Sequence, residues 1–220
     1  MYNNCAARGR SKADSLTVAA HLITTTNEVY MFYNIGINDG KYKTKSKGKH
    51  LKEYKSWAGM LARCYSENTQ TNQKSYIGCS VSDNFKSYSY FYEWCQNQVG
   101  FHDGYDLDKD LLIKGNRRYS EDICVFIPQE INRALSSNDK NRGSCLVGVN
   151  LNKKTGKYIS HARMELGKIY LGAFDTEIEA FLRYKEEKEA YIRRLAEKHR
   201  SSIDFRAYKA LMDYKVNFND

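Results

Sequence analysis

Three kinds of side chain in this chain are spaced so that they can do chemistry. The first are cations. Lysines alternate at 41, 43, 45, 47 and 49 along KYKTKSKGKH, and Lys41 to Lys55 holds seven lysines against Glu53. Such a run reads either as a solvated edge strand or loop, or as an arm that holds phosphates, with Lys43, Lys45 and Lys47 at its centre. A second basic group, Lys153, Lys154, Lys157, Arg163 and Lys168, faces only Glu165 between residues 150 and 172. The second kind are acids: FHDGYDLDKD ends in Asp106, Asp108 and Asp110. Carboxylates suit hard, oxygen-liking cations; solvated or ion-paired loop acids are the plainer reading of Asp106 and Asp110. The third are cysteines, at 5, 64, 79, 95, 124 and 145. None forms a C-x-x-C pair, so the usual zinc-knuckle and redox signatures are missing. Cys64, Cys79, Cys95 and Cys124 can in principle gather around one zinc. Small buried side chains in a reducing compartment are the expected reading, and zinc is not expected.

Elements must position these groups. Leu16 to Leu22 suits a short helix and Val29 to Ile37 a strand. In YKSWAGMLARCY, residues 54 to 65, Trp57, Met60, Leu61 and Cys64 recur at helical spacing. Residues 66 to 76 read as a polar loop and 77 to 81 as a brief strand. Phe85, Tyr88, Phe91, Tyr92 and Cys95 line one side of another helix, and such an aromatic row is read as core. Gly115-Asn116 marks a turn. Residues 123 to 126 are apolar, and Pro128 opens a short helix. SSNDKNRG, 136 to 143, lacks apolar anchors and reads as a linker.

Beyond it the pattern is clearest. Residues 146–152, 157–164 and 168–174 are expected strands, joined by turns at 154–156 and 165–167. A helix is expected over 176–198, capped by Asp175 or Thr176, with Ile178, Phe181, Tyr184, Tyr191 and Leu195 as its apolar stripe. One helix covers one face of such a sheet and leaves the other open. In the second strand Lys157, Ile159, His161 and Arg163 share a face. An exposed basic ribbon of this kind fits the major groove of DNA; an ordinary solvated sheet face is the alternative.

The chain is 220 residues long with a formal net charge of +9. That length buries one ordinary core or two small ones. The aromatic content is too high for a disordered basic tail. No run of about 18 apolar residues exists to span a membrane. The opening MYNNCAARGRSK has no apolar h-region, so it does not read as a signal peptide.

Within residues 148–184, Gly148-Val149, Gly156-Lys157-Tyr158, Leu171-Gly172, Phe174, Thr176, Glu179-Ala180 and Tyr184 occur in one order. In this the segment resembles the DNA-binding domain of plant ethylene-response factors, which also occurs in bacterial and phage homing endonucleases. The resemblance implies double-stranded DNA as partner, bound by the sheet in the major groove. The positions matching the family's contacts are Asn150, Thr155, His161, Arg163, Lys168 and Tyr170. Family arginines and a tryptophan are replaced at Asn150, Thr155 and Tyr170, so the docking mode carries over better than the target sequence.

WAGMLARCY (57–65), YIGCSVSDNFKSYSYFYEW (76–94) and LDKDLLIKGNRRYSEDICVFIPQEIN (107–132) resemble a phage family with an HNH-like core. There Asp108 matches the metal-binding aspartate, Asn132 the last metal-binding position and Phe126 the core aromatic. Lys109 stands where the catalytic histidine belongs, and Ile123 where a structural asparagine belongs. The implied site is therefore Asp108, Lys109 and Asn132, with Mg²⁺ on Asp108 and Asn132. A lysine at the base position is normally protonated and must shift by roughly 3 units to act as a base. Beside a carboxylate and a phosphate it is held charged, so Lys109 is read as a phosphate clamp. His102 and Asp110 stand as substitute bases, with an ordinary loop histidine the plainer reading of His102.

The expected fold is α+β: a degenerate ββα-metal (HNH-like) domain, then a three-stranded antiparallel sheet packed on one helix. The expected organisation is a basic extension with a short strand (1–50), the HNH-like domain (51–135), the linker (136–143), the ethylene-response-factor-type domain (144–200) and a tail (201–220). The expected function is double-stranded DNA binding by a cytoplasmic phage-type protein with impaired or absent nuclease activity. An active Mg²⁺-dependent nicking enzyme is one alternative, and an inhibitor or assembly factor that binds a protein partner is another.

Overall fold

The computed structural model describes residues 30–102, 104–136, 144–165 and 167–218. The expected 16–22 helix lies outside them, as does the linker from residue 137 onward. Among the described residues, no helix is long and apolar enough to cross a membrane.

The chain is α+β, built on small, mostly antiparallel sheets. The expected strand 29–37 is instead a hairpin of β1 (Tyr30–Phe32) and β2 (Gly36–Asn38). Tyr33 and Asn34 turn it at φ 53° and 57°. Apolar composition alone hid the turn, because Asn tolerates the left-handed region without glycine's help. Gly36 is required by space: a Cβ there meets Leu61 Cδ1 at 2.2 Å. Next come β3 (Lys45–Ser46) and β4 (Lys49–His50), a second hairpin turning at Lys47-Gly48, both with positive φ. That matches a type I′ turn.

Helix α1 (Lys52–Tyr65) buries Trp57, Met60, Leu61 and Cys64, the four residues its spacing nominates. The expected 66–76 loop contains α2 (Glu67–Asn72), capped by Ser66 and burying nothing. A helix without an apolar face leaves no periodic signal to read. Then come β5 (Ser80–Val81) and α3 (Tyr88–Gln96), with Ser87 as N-cap. The strand β6 (Tyr105–Asp108) is followed by β7 (Arg118–Tyr119), which pairs in parallel with β5.

The centre of the molecule is β8 (Val125–Pro128), antiparallel to β6 and leading into α4 (Gln129–Leu135). All four β8 residues are buried. The reason is its position as a wall between two cores. Phe126 and its partner Leu107 face the core of α1 and α3. Val125 and Ile127 face a second core with Ile131 and Ala134 of α4. Strand neighbours point to opposite faces, so a strand covered on both sides is apolar throughout.

The C-terminal strands are β9 (Val149–Leu151), β10 (Tyr158–Met164) and β11 (Gly167–Phe174), in the order β11-β10-β9 and antiparallel. Helix α5 (Glu177–Lys198) packs across them. Thr176 caps it, and Glu179 closes a reciprocal capping box. Asp175 does not cap; it pairs with Lys157. Ile178 does not join the apolar stripe either: it is 57% exposed, while Ala180, Phe181 and Ile192 are buried.

At ~1.5 Å per residue a helix of this length spans about 33 Å. Its first turns close a third core with Val149 and Phe181. Its last turns, Tyr191 to Ala196, close the second core against β8 and α4. The 201–220 segment carries α6 (Phe205–Met212), which adds Ala207 and Leu211 to that second core. Amphipathic spacing shows that α5 has an inner face; it does not show that two units share that face.

Candidate functional site

The outer face of the C-terminal sheet follows from register. Ser160 and Ala162 are buried beneath α5, so Ile159, His161 and Arg163 turn the other way. Across the strands Asn150 opposes Ile159, Tyr170 opposes His161 and Lys168 opposes Arg163. A bulge between Ser160 and His161 on the β10–β11 ladder adjusts this alternation. Five of the six positions carried over from the DNA-binding family thus share one face; Thr155 sits in the β9–β10 turn.

Tyr170 is 60% exposed, and its ring meets His161 edge-on at 5.7 Å. Burial pushes His161 below the ordinary imidazole range, and Lys168 pushes the same way, so the ring is neutral at pH 7. Its Nδ1 is buried and makes no hydrogen bond. Lys153 and Lys154 project from the exposed turn. Lys157 is spent on Asp175. Arg163 and Lys168 are exposed and, among the described residues, meet no acid.

The lysine run divides in two. Lys41 pairs with Glu93 at 2.5 Å, and Lys52 lies over the Phe101 ring at 4.6 Å. Lys43, Lys45 and Lys47 are exposed along the β3–β4 hairpin, without an acid among the described residues. Tyr88 Oη anchors the hairpin by donating to the Lys43 carbonyl at 3.1 Å.

The acidic segment behaves differently. Asp108 is buried at the end of β6, and its Oδ1 accepts from the backbone N–H of Asp110 at 2.9 Å and of Leu111 at 2.7 Å. Lys109 is only 7% exposed. Its ammonium donates to Asp110 at 3.0 Å and to the Asn116 carbonyl at 2.9 Å. Asn116 laces the same loop by donating to the carbonyls of Lys109 and Arg118. To reach a phosphate, Lys109 must give up or share those partners. Asn132 donates to Asp106 at 3.3 Å, and Gln129 reaches the other Asp106 oxygen at 3.4 Å. These amides dock α4 onto β6. His102 is exposed and edge-on to Tyr105, and Ile123 is half-buried.

A Mg²⁺ ion takes near-octahedral oxygen ligands. Asp108 has one oxygen committed to two backbone donors, Asn132 turns to Asp106, and the Lys109 ammonium lies beside Asp110. In this arrangement Asp108, Asn132 and Lys109 are each engaged by other groups of the chain. Among the described residues, no three His, Cys, Asp or Glu side chains gather as a metal set. Burial pushes the thiols of Cys64 and Cys124 up to about 12, which keeps them protonated.

A cleft of about 1500 Å³ joins the two regions. It is bounded by the loop after Asp108, by α4, by Tyr184, Lys188 and Tyr191 of α5, and by β9 with the turn end of β10 and β11. No family model, curated protein or solved structure matches the chain. The site is therefore read from its own geometry.

Two groups in this region carry information that spacing did not: Asn116, which the sequence marks only as a turn residue, and Arg133, which no sequence signal singles out.

Burial, and secondarily the charge on Asp110, pushes the Asp108 carboxyl up to about 6. An acid raised in the folded state contributes stability that is complete below its unfolded value near 3.9 and lost as pH rises through about 6. At pH 7.5 the buried charge costs about 1–3 kcal/mol. Asn at this position keeps the acceptor for both backbone donors. Asp108→Asn is therefore expected to raise the melting temperature at pH 7.5 and to match the parent at pH 4. Thermal scans at both values check this, and an equal effect at both would show that ionisation is not the cause.

Proposed function

We propose that this chain binds double-stranded DNA, laying the outer face of the β9–β11 sheet into the major groove. The β6–β8–α4 unit is then a degenerate HNH-like module that supports the sheet and has impaired or absent nuclease activity. One observation carries the reading: Asn150, His161, Arg163, Lys168 and Tyr170 share the face turned away from α5, and among the described residues Arg163 and Lys168 meet no acid. Cations without acids suit phosphates, whose condensed counter-ions are released on binding. A neutral imidazole and a phenol in the neighbouring cross-strand pair suit base edges, which offer both donors and acceptors.

The test is duplex affinity measured by fluorescence anisotropy across salt. Log affinity is expected to fall linearly with log salt, with a slope of roughly −0.9 for each phosphate contact. Affinity indifferent to ionic strength rejects the proposal. If an acidic protein partner is captured instead, with no duplex binding at low salt, the inhibitor reading replaces it.

A Mg²⁺-dependent nicking enzyme is the second reading. It is favoured by Asp108 at the end of β6 with α4 packed on the same strand pair. It is disfavoured by the missing imidazole and by the buried pairing of Lys109. Supercoiled plasmid with Mg²⁺ or Mn²⁺ is expected to stay intact. Nicking that Asp108→Asn abolishes would favour the enzyme instead.

A further inference from the structure

The cleft between α4 and the sheet has an unequal charge economy. Each of its three acids has a basic group beside it: Glu130 and Glu165 share Lys198, at 3.0 and 3.6 Å, Glu130 also meets His199, and Asp110 meets Lys109 at 3.0 Å. Three of its cations have no acid beside them among the described residues. Arg163 and Lys168 come from the sheet, and Arg133 comes from the exposed side of α4. Arg133 donates only to the Gln129 carbonyl of its own helix, at 3.2 Å, and among the described residues it meets no acid. Near neutral pH the cleft therefore holds surplus positive charge contributed by α4 and by the sheet.

Its size points the same way. About 1500 Å³ exceeds the roughly 300–1,000 Å³ of ordinary small-molecule pockets. A cleft of that volume, with Arg133, Arg163 and Lys168 on its lining, suits a polyanion.

We infer that the DNA-binding surface is composite: the phosphate backbone leaving the sheet runs through this cleft and is gripped by Arg133 of α4. The inference rests on the DNA-binding reading and extends it. The β6–β8–α4 unit becomes part of the grip, and the footprint reaches past the sheet. Arg133 is a positioning contact to phosphate and carries no sequence information.

The experiment measures duplex anisotropy across salt for the parent, Arg133→Ala, Arg133→Glu and Arg163→Ala. Arg133→Ala is expected to reduce the salt slope by about 0.9 and to weaken binding roughly fivefold to tenfold at 0.1 M salt, uniformly across duplex sequences. Arg133→Glu is expected to weaken it further. Arg133 is exposed, so unchanged circular dichroism should accompany both losses. If both Arg133 variants bind like the parent while Arg163→Ala is impaired, the composite cleft is overturned and the sheet-face reading stands. A parent that binds no duplex at low salt overturns both.

Discussion

Phe126→Ala is expected to lower the unfolding free energy by about 3–5 kcal/mol. Phe126 is fully buried on the wall strand β8, with its ring centre 5.0 Å from Phe101 and 5.7 Å from Trp94. Truncation leaves a cavity in the first core beside the strand that also floors the second, so neither side can collapse freely into it. Chemical denaturation gives the number. A loss near 1 kcal/mol would mean that the wall relaxes and that the two cores are not coupled through β8. Ile178→Ala makes the contrast. Helical spacing assigns Ile178 to the core, yet it is mostly exposed, so its loss is expected within about 0.5 kcal/mol.

The double substitution Arg163→Ala with Lys168→Ala is expected to weaken duplex binding about 100-fold at 0.1 M salt and to flatten the salt slope by about 2. Both side chains are exposed and opposite each other across β10 and β11, and neither serves the fold. Stability should therefore be unchanged, which separates lost binding from lost structure. The matching variant on the β3–β4 hairpin, Lys45→Ala with Lys47→Ala, removes equal charge from the other exposed basic segment. A sheet that reads DNA makes the sheet pair the more damaging of the two and gives it the larger effect on sequence preference. Equal losses from the two pairs would reduce the interaction to general electrostatics.

The C-terminal strands and helix were legible because their signals are local. Alternation along 157–164 separates the His161 and Arg163 face from the Ser160 and Ala162 face. Asp175 and Thr176 before the apolar stripe mark a helix start, although which of them caps it was decided by the structure. The α1 stripe is equally local, and so is the α3 stripe from Tyr88 onward; Phe85, expected on the same helix, lies in a 3₁₀ turn before it. The β1–β2 hairpin and α2 were not legible, one because its turn lacks glycine at the central positions and the other because it buries nothing.

The candidate site divides along the same line. That Arg163, Lys168 and Tyr170 share a face follows from strand period and turn position. That Lys109 is held by Asp110 and Asn116 does not, since a lysine's spacing says nothing of the carbonyl it meets.

By itself the sequence determined an α+β chain with a basic sheet crossed by a capped helix, because period, turn and cap chemistry act over a few residues. Only the tertiary structure decided that α5 serves two cores, that β8 is a wall, and that α4 and the sheet border one cleft. Those outcomes rest on contacts such as Lys188 with the Ala134 carbonyl, Lys198 with Glu130 and Arg206 with the Asp122 carbonyl, separated by 54, 68 and 84 residues. Interactions across such separations arise from how whole faces pack, and no local spacing records them.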